Sequence, residues 1–379
     1  MKKINITVVH LMDLVSYPPV LSLIQILLKR GYSVNLISIG VKNAPNTILE
    51  HPNFKYTDIS IKNGKGVMSK LKREIYRRNI ARKATIEYMK NSDFLWTTTD
   101  ISVRCLGKLC LKYKHIMQLM ELEKWYPYVI GLNYPRFPLY KYSQAAWKNV
   151  VPEVNRAHIQ KIWWNLQETP IVLPNKPYNY KIVERNIKNN QVFESMKKEN
   201  RKVVLYLGII APDRNIELFA ETISKIDNQY CLYIAGRVDN SMKKEFDLLL
   251  DKFKCVQYLG NFKAPQHLEL LEYADIGLTP YYITKKHQFI SPLNIEYCAP
   301  NKIFEYAAYG IPMIGTDVMG LRQPFEKYNI GICCENFSID EILSALKTID
   351  KNYMEMKQNC YTFFNSVNLE QIIEKIILN

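Results

Sequence analysis

Lys302 and Glu305 stand one helical turn apart in the run Ala299-Pro300-Asn301-Lys302-Ile303-Phe304-Glu305-Tyr306-Ala307-Ala308-Tyr309-Gly310-Ile311-Pro312-Met313-Ile314-Gly315-Thr316-Asp317. The pattern reads as a loop carrying Asn301 and Lys302, a short helix through Glu305, a Gly-x-Pro break and a buried strand. A cation and a carboxylate at the head of one helix suit a ligand that is anionic at one end and rich in hydroxyls at the other. Diphosphate oxygens ask for backbone amides and cations, whereas ribose hydroxyls ask for a carboxylate that accepts two hydrogen bonds. A second cation, Arg214, precedes a helical pattern through Ile216, Phe219, Ile223 and Ile226, in a loop that opens at Gly208 after the apolar run 203–207. Carboxylates for acid or base work are offered by Asp13, after the first apolar run, and by Glu121, after the run 114–120. His10 is a base candidate for an inverting reaction, against the plainer reading of a core histidine. Taken singly, Lys302 and Arg214 read as solvated charges and Glu305 as a residue favouring its helix N-terminus. Gly310 and Pro312 read as structural, ending the helix and fixing the next strand.

The elements that must hold these residues alternate. Residues 4–11 form an apolar run, 18–29 have helical spacing, Gly31 stops that helix, and 32–39 form a second strand: a parallel strand, helix, strand unit. Two further strands, 93–100 and 114–120, end in polar residues, and open parallel sheets bind ligands at such carboxyl ends. From 125 to 144 the pattern breaks into Tyr and Pro with little period, and helical spacing returns over 145–166. The best boundary lies at 169–177, where Pro174 and Pro177 bracket the end of a strand. A second alternation begins at Lys202, with strands expected at 203–208, 230–236, 256–260 and 275–280, and residues 342–378 read as helical. The expected fold is α/β, two doubly wound domains, with boundaries 1–173, 174–360 and 361–379. No Gly-x-Gly-x-x-Gly and no internal repeat occurs, so a nicotinamide or flavin fingerprint is absent.

The stretch around Lys302 and Glu305 resembles the nucleotide-sugar-binding motif of glycosyltransferases of the two-Rossmann-domain (GT-B) type, in particular the GT4-like group 1 family of bacterial surface-polysaccharide biosynthesis. The resemblance covers most of the second domain and, more loosely, the element order of the first. It implies two Rossmann-like domains facing a cleft, an acceptor-side first domain, and a C-terminal helix that crosses back onto that domain. It further implies that Arg214 and Lys302 neutralise the leaving diphosphate, that Glu305 holds the ribose, and that configuration at the anomeric carbon is retained. Gly208, Asn301 and the loop after Gly260, with Asn261 and Phe262, join the donor-binding set, the base being read largely by backbone. Two departures stand out. The family's Glu-x7-Glu spacing lands here on Tyr297, with Glu296 one residue earlier, so Glu296, Asn294 and Tyr297 are all candidates for the donor sugar. The Arg that many members place directly after Gly208 is Ile209, which leaves Arg214 and Lys302 as the main cations, with Arg237 or Lys285 as possible substitutes.

Composition narrows the partners. The chain has 379 residues, enough for sizeable cores without disulfides or metals, and no apolar run near the length of a membrane-spanning helix. The eight cysteines lack Cys-x-x-Cys spacing and most sit in apolar segments, as expected in a reducing compartment, and the N-terminus reads as a strand rather than a signal peptide. A cytoplasmic protein, peripheral on the plasma membrane, is the expected location. No metal-ligand spacing appears among the histidines and no Asp-x-Asp pair exists, so no metal and no cofactor are expected, the nucleotide-sugar being a substrate. Net charge is +15, and residues 62–90 carry ten Lys or Arg against Glu74 and Glu87, a local excess of eight. That segment suits an anionic membrane surface, with a solvated charged face as the alternative; nucleic acid is not expected, since no recognition motif accompanies the charge. The expected partners are therefore a nucleotide-sugar donor, a glycan or lipid-linked glycan acceptor, and anionic lipid. Rival readings are a nucleotide-sugar epimerase of similar architecture and a non-catalytic partner subunit.

Overall fold

A computed structural model describes residues 4–61, 67–127, 136–178, 190–262, 264–282 and 291–378. The chain forms two compact units, Met1–Tyr178 with Asn368–Asn379, and Asn179–Val367.

In the first unit seven parallel strands take the order β3-β2-β1-β4-β5-β6-β7. They are β1 (Asn5–Asp13), β2 (Ser33–Ile39), β3 (Phe54–Asp58), β4 (Phe94–Thr97), β5 (His115–Gln118), β6 (Lys148–Val151) and β7 (Ile171–Val172). Central strands buried on both faces read as continuous apolar runs, which is why β1 and β4 are visible in the sequence. Residues 145–166, expected to be helical throughout, instead begin with β6, whose Val150 and Val151 are buried beside β5, and the helix runs only over Val154–Trp164. Helix α1 (Pro18–Lys29) buries Val20, Leu21, Leu23, Ile24, Ile26, Leu27 and Leu28, and Pro at its first turn costs no hydrogen bond. The basic helix α2 (Val67–Met89) packs Ala81, Thr85 and Met89 inward.

The second unit repeats the plan with six parallel strands in the order β10-β9-β8-β11-β12-β13. These are β8 (Lys202–Leu207), β9 (Tyr230–Ala235), β10 (Val256–Gly260), β11 (Ile276–Thr279), β12 (Met313–Thr316) and β13 (Gly331–Cys334). Both sheets reverse direction of growth beside their first strand, between β1 and β4 and between β8 and β11, the place where open α/β sheets leave a crevice at their carboxyl ends. Helix α3 (Ile216–Ser224) follows β8, and helix α4 (Lys302–Ala308) runs into β12. Tyr306 anchors α4: fully buried, its hydroxyl accepts from Leu207 N–H at 3.1 Å and donates to Leu205 C=O at 2.9 Å. Its ring occupies the space a side chain at position 277 would need, so Gly277 is what lets α4 lie against β11.

The helical tail divides between the units. Helix α5 (Met319–Tyr328) precedes β13, and α6 (Tyr353–Asn365) belongs to the second unit, where Phe363 and Phe364 join its core. Helix α7 (Leu369–Leu378) belongs to the first unit and packs on α1, with Lys29 2.7 Å from Glu370 and Arg30 3.3 Å from Glu374. The divisions therefore fall at 178/179 and 367/368 rather than 173/174 and 360/361. Tyr178 belongs with the first unit because its N–H donates to Ser22 Oγ and its hydroxyl to Glu370, while α6 runs past residue 360 inside the second.

Candidate functional site

The second unit's switch point gathers the charged residues singled out in the sequence. Beyond β8, Gly208 adopts φ +141°, a conformation side-chain-bearing residues rarely take, and its N–H still pairs with Ala235 C=O at 2.9 Å. A Cβ at Gly208 would lie 2.6 Å from Lys302 Cε and 2.8 Å from Lys302 Nζ, so the absent side chain is the room in which the Lys302 ammonium sits. Lys302 makes no ion pair among the described residues. Burial, and then the neighbouring Arg214 charge, push its ammonium from 10.5 down to about 8.

Arg214 ends a short 3-10 turn, Pro212–Arg214, ahead of α3. Its guanidinium donates to Asp213 Oδ2 at 2.7 Å and lies 4.3 Å from the centroid of the Tyr281 ring, a cation–π contact just beyond the end of β11. Tyr282 N–H donates to Asp213 C=O at 3.0 Å, tying the Arg214 loop to the same strand end. Two cations are thus held at adjacent strand ends by packing and aromatic contact, with one buried carboxylate, Asp213, paired to Arg214.

Glu305, in the first turn of α4, is 2% exposed. Its Oε1 accepts from Asn301 Nδ2 at 2.6 Å and lies 3.2 Å from His267 Nε2. Burial works to raise this carboxyl, but His267, Lys302 and Asn301 outweigh it and hold the group below the ordinary glutamate value. Glu305 is therefore an ionised acceptor, with both of its described hydrogen bonds on one oxygen. Asn301 is committed to Glu305 and serves the site through that carboxylate.

The remaining donor candidates are placed less tightly. Glu296 ends a short helix, Pro292–Glu296, and its Oε1 accepts from Met319 N–H at 3.2 Å, capping the start of α5. Asn294 and Tyr297 belong to that helix and its cap, Asn261 is exposed and Phe262 half-buried beyond β10, Arg237 is exposed, and Lys285 lies outside the described residues. Sequence reasoning missed His267, Tyr281 and Asp213, of which Asp213, directly before Arg214, and Tyr281, just after the strand 275–280, stood beside recognised signals.

In the first unit, Met12, Tyr17, Thr99, Asp100, Glu121 and Tyr126 line a cavity of about 40 Å³ past the ends of β1, β4 and β5. Asp100, also missed, starts a helix capped by Thr99; burial raises its carboxyl although Arg104 lies 2.9 Å away. Asp13 accepts from Ser16 Oγ at 2.6 Å, and Gly40, at φ +69°, leaves room for its other oxygen. His10 is fully buried, its Nδ1 2.8 Å from Thr98 Oγ1, and burial pushes its imidazole down to about 3. At that value it is neutral and weakly basic at physiological pH, which favours the core reading over a catalytic base.

Among the described residues no group of three or more His, Cys, Asp or Glu could hold a metal ion, and no helix is long and apolar enough to cross a membrane.

Residues 201–352 match the family described as Glycosyl transferases group 1. No curated protein matches the chain in sequence. Among solved structures, the chain is similar to HepE of Anabaena in complex with UDP and glucose, at 11% identity over 98% of each chain and a TM-score of 0.67. It is similar also to sucrose-phosphate synthase of Thermosynechococcus elongatus, at 14% identity over 99% of this chain and 97% of that one, TM-score 0.69. A Listeria monocytogenes protein described as a UDP-N-acetylglucosamine 2-epimerase shares the fold at 12% identity over 100% of this chain and 95% of that one, TM-score 0.61. At these identities the likeness establishes the shared fold of two Rossmann-like domains.

Proposed function

We propose that this chain is a group 1 glycosyltransferase that moves a sugar from a nucleoside-diphosphate donor held in the second unit to a hydroxyl of a glycan acceptor, lipid-linked and destined for a cell surface. The anomeric carbon to phosphate-oxygen bond breaks, a bond from that carbon to the acceptor oxygen forms, and the acceptor proton passes to the departing diphosphate. Transfer by that route keeps the anomeric configuration and needs no base such as His10. The observation that carries the reading is the pairing of Arg214 and Lys302 at the switch point, two cations whose mutual repulsion is relieved when an anion arrives. Charge neutralisation is assigned to these side chains rather than to a metal, and Glu305 is assigned to the ribose. UDP and glucose in the complex of the similar HepE chain are consistent with a donor of this kind.

The test is a thermal-shift screen of nucleoside diphosphates followed by transfer assays. Selective stabilisation by one nucleoside diphosphate, lost in Arg214→Ala, is expected; no binding by any of them overturns the donor site. A changed sugar released without any acceptor would favour the epimerase reading.

The acceptor's setting is proposed from α2. Lys72, Ile75 or Tyr76, Asn79, Lys83, Ile86 and Lys90 recur every three or four residues and are all exposed, with Ile75 at 53% and Tyr76 at 57%, and Lys90 lies 2.6 Å from Glu87. Of the arginines expected among the lipid-facing charges, Arg78 is exposed, whereas Arg73, Arg77 and Arg82 are half-buried, Arg77 being 3.2 Å from Glu74, and Ile80 packs against the core. Lys62 and Lys65 lie outside the described residues. A stripe of lysines interleaved with large apolar side chains suits the headgroup region of an anionic bilayer. Flotation with anionic vesicles, lost on Ile75→Ser with Tyr76→Ser and on raising salt past about 0.3 M, is the expected result; equal binding to neutral vesicles would refute it.

A further inference from the structure

His267 is the second residue of the stretch Gln266–Tyr273, which follows the loop beyond β10, and so reaches Glu305 from a different crossover than the helix carrying the carboxylate. Its side chain is only 16% exposed, and the contact joins groups 38 positions apart in sequence. Glu305 has a competing partner much nearer in the chain. Lys302 lies three residues earlier on the same helix, a spacing at which opposite charges readily pair. Yet the two form no ion pair among the described residues. Asn301 and His267 both hold Oε1, and the carboxylate is thereby kept from swinging to Lys302.

We propose that His267 is a positioning residue for ribose recognition: by holding Glu305 Oε1 it presents Oε2 to the ribose hydroxyls and leaves the Lys302 ammonium available to the diphosphate. The inference rests on the reading that Glu305 binds ribose. Its physical basis is geometric. A buried carboxylate with one oxygen pinned from two sides has few rotamers left, so accepting two hydroxyls costs little further ordering. Asn301 alone fixes the oxygen from within the same helix; His267 supplies the restraint from outside it.

The experiment measures affinity for whichever of UDP, GDP or ADP binds best, for its 2′-deoxy and 3′-deoxy counterparts, and for inorganic pyrophosphate. Each is titrated calorimetrically against the full-length wild type, Glu305→Ala, His267→Leu and His267→Gln. Wild type is expected to lose about tenfold or more in affinity when a ribose hydroxyl is removed, the usual cost of a hydrogen bond to a charged group. His267→Leu fills the space without a donor, and should bind the ribo and deoxy ligands within about threefold of each other while leaving the shape of the site intact. His267→Gln keeps an N–H at similar reach and should restore discrimination. Pyrophosphate separates this role from a merely structural one: positioning predicts weaker pyrophosphate binding in His267→Leu, where Glu305 is free to reach Lys302, and wild-type affinity with an unchanged melting temperature in His267→Gln, whereas pyrophosphate binding lost equally in both overturns it. Discrimination that persists in Glu305→Ala overturns the ribose reading itself. Discrimination abolished in Glu305→Ala but intact in His267→Leu overturns the role of His267 alone. Should His267→Leu fail to fold, His267→Gln decides: if it folds but loses discrimination, a donor at that point is not what positions Glu305, and the proposal falls.

Discussion

Replacing Lys302 by Met should stabilise the fold while removing transfer. The ammonium titrates near 8 in the folded chain, against 10.5 ordinarily, because burial and the Arg214 charge oppose it. A displacement of that size corresponds to roughly 3 kcal/mol of strain on the charged form, and partial solvent access reduces it to about 1 to 3 kcal/mol. The sign follows from proton binding. Between about pH 8 and 10.5 the unfolded chain holds more protons at this position than the folded one, so wild-type stability rises with pH across that window. Below pH 8 the strain is fully present. Met keeps the apolar stem and drops the charge, so the variant should exceed wild type by about 1 to 3 kcal/mol at pH 7, and the gap should close as pH approaches 10.5. Urea unfolding at half-unit pH intervals reads this directly. Adding a nucleoside diphosphate should reverse the order, because only wild type then gains the anion. The same variant should lose about 2 to 4 kcal/mol in kcat/KM, the usual cost of removing a group that stabilises charge developing in the transition state. A variant no more stable than wild type at pH 7, with parallel pH profiles, would refute the claim that the empty site strains this lysine.

Gly208→Ala should leave a folded protein with nucleoside diphosphate affinity reduced about tenfold by calorimetry, since the new Cβ, 2.6 Å from Lys302 Cε and 2.8 Å from Nζ at an unfavourable φ, displaces the end of that side chain. Tyr306→Phe should cost about 1 to 3 kcal/mol in denaturant unfolding, because Leu207 N–H and Leu205 C=O lose a buried partner, with transfer per folded molecule largely kept.

The stretch 299–317 was legible because everything it needs is local: a loop, one helical turn that sets Lys302 beside Glu305, and a break before a buried strand. Arg214 was legible for a similar reason, standing at a strand end just before a helix. What joins these two is not local. Tyr281 meets Arg214 across the sheet's switch point, and His267 meets Glu305 from the crossover beyond β10, so neither partnership leaves a periodic trace in the chain. Glu296 shows the opposite limit. Its spacing placed it near the donor motif, but its carboxylate is used by the Met319 N–H at the start of α5, a demand that only the packed helices reveal. The buried strands β1, β4, β8 and β9 announced themselves as apolar runs. Strand β6, short and opening on Lys148 and Asn149, was hidden inside a helical pattern because four residues cannot establish a period of two against a period of 3.6.

The two sheets share a strand order but differ in what their strand ends carry, and that difference supports a division of labour. At the second unit's switch point Arg214 and Lys302 stand with two carboxylates, Asp213 paired to Arg214 and Glu305 held by Asn301 and His267, and an arriving diphosphate would relieve the repulsion between the two cations. At the first unit's strand ends stand Asp13, Asp100 and Glu121 with Tyr17 and Tyr126; Arg104 offsets the Asp100 carboxylate, which burial nonetheless raises. An anionic group brought against those carboxylates would be repelled, whereas sugar hydroxyls can donate to them and lie against the tyrosines. The chemistry follows from the contrast. On the proposed reading the cations serve the negative charge that accumulates as the donor bond breaks, and the carboxylates serve a neutral hydroxyl that must be bound and turned.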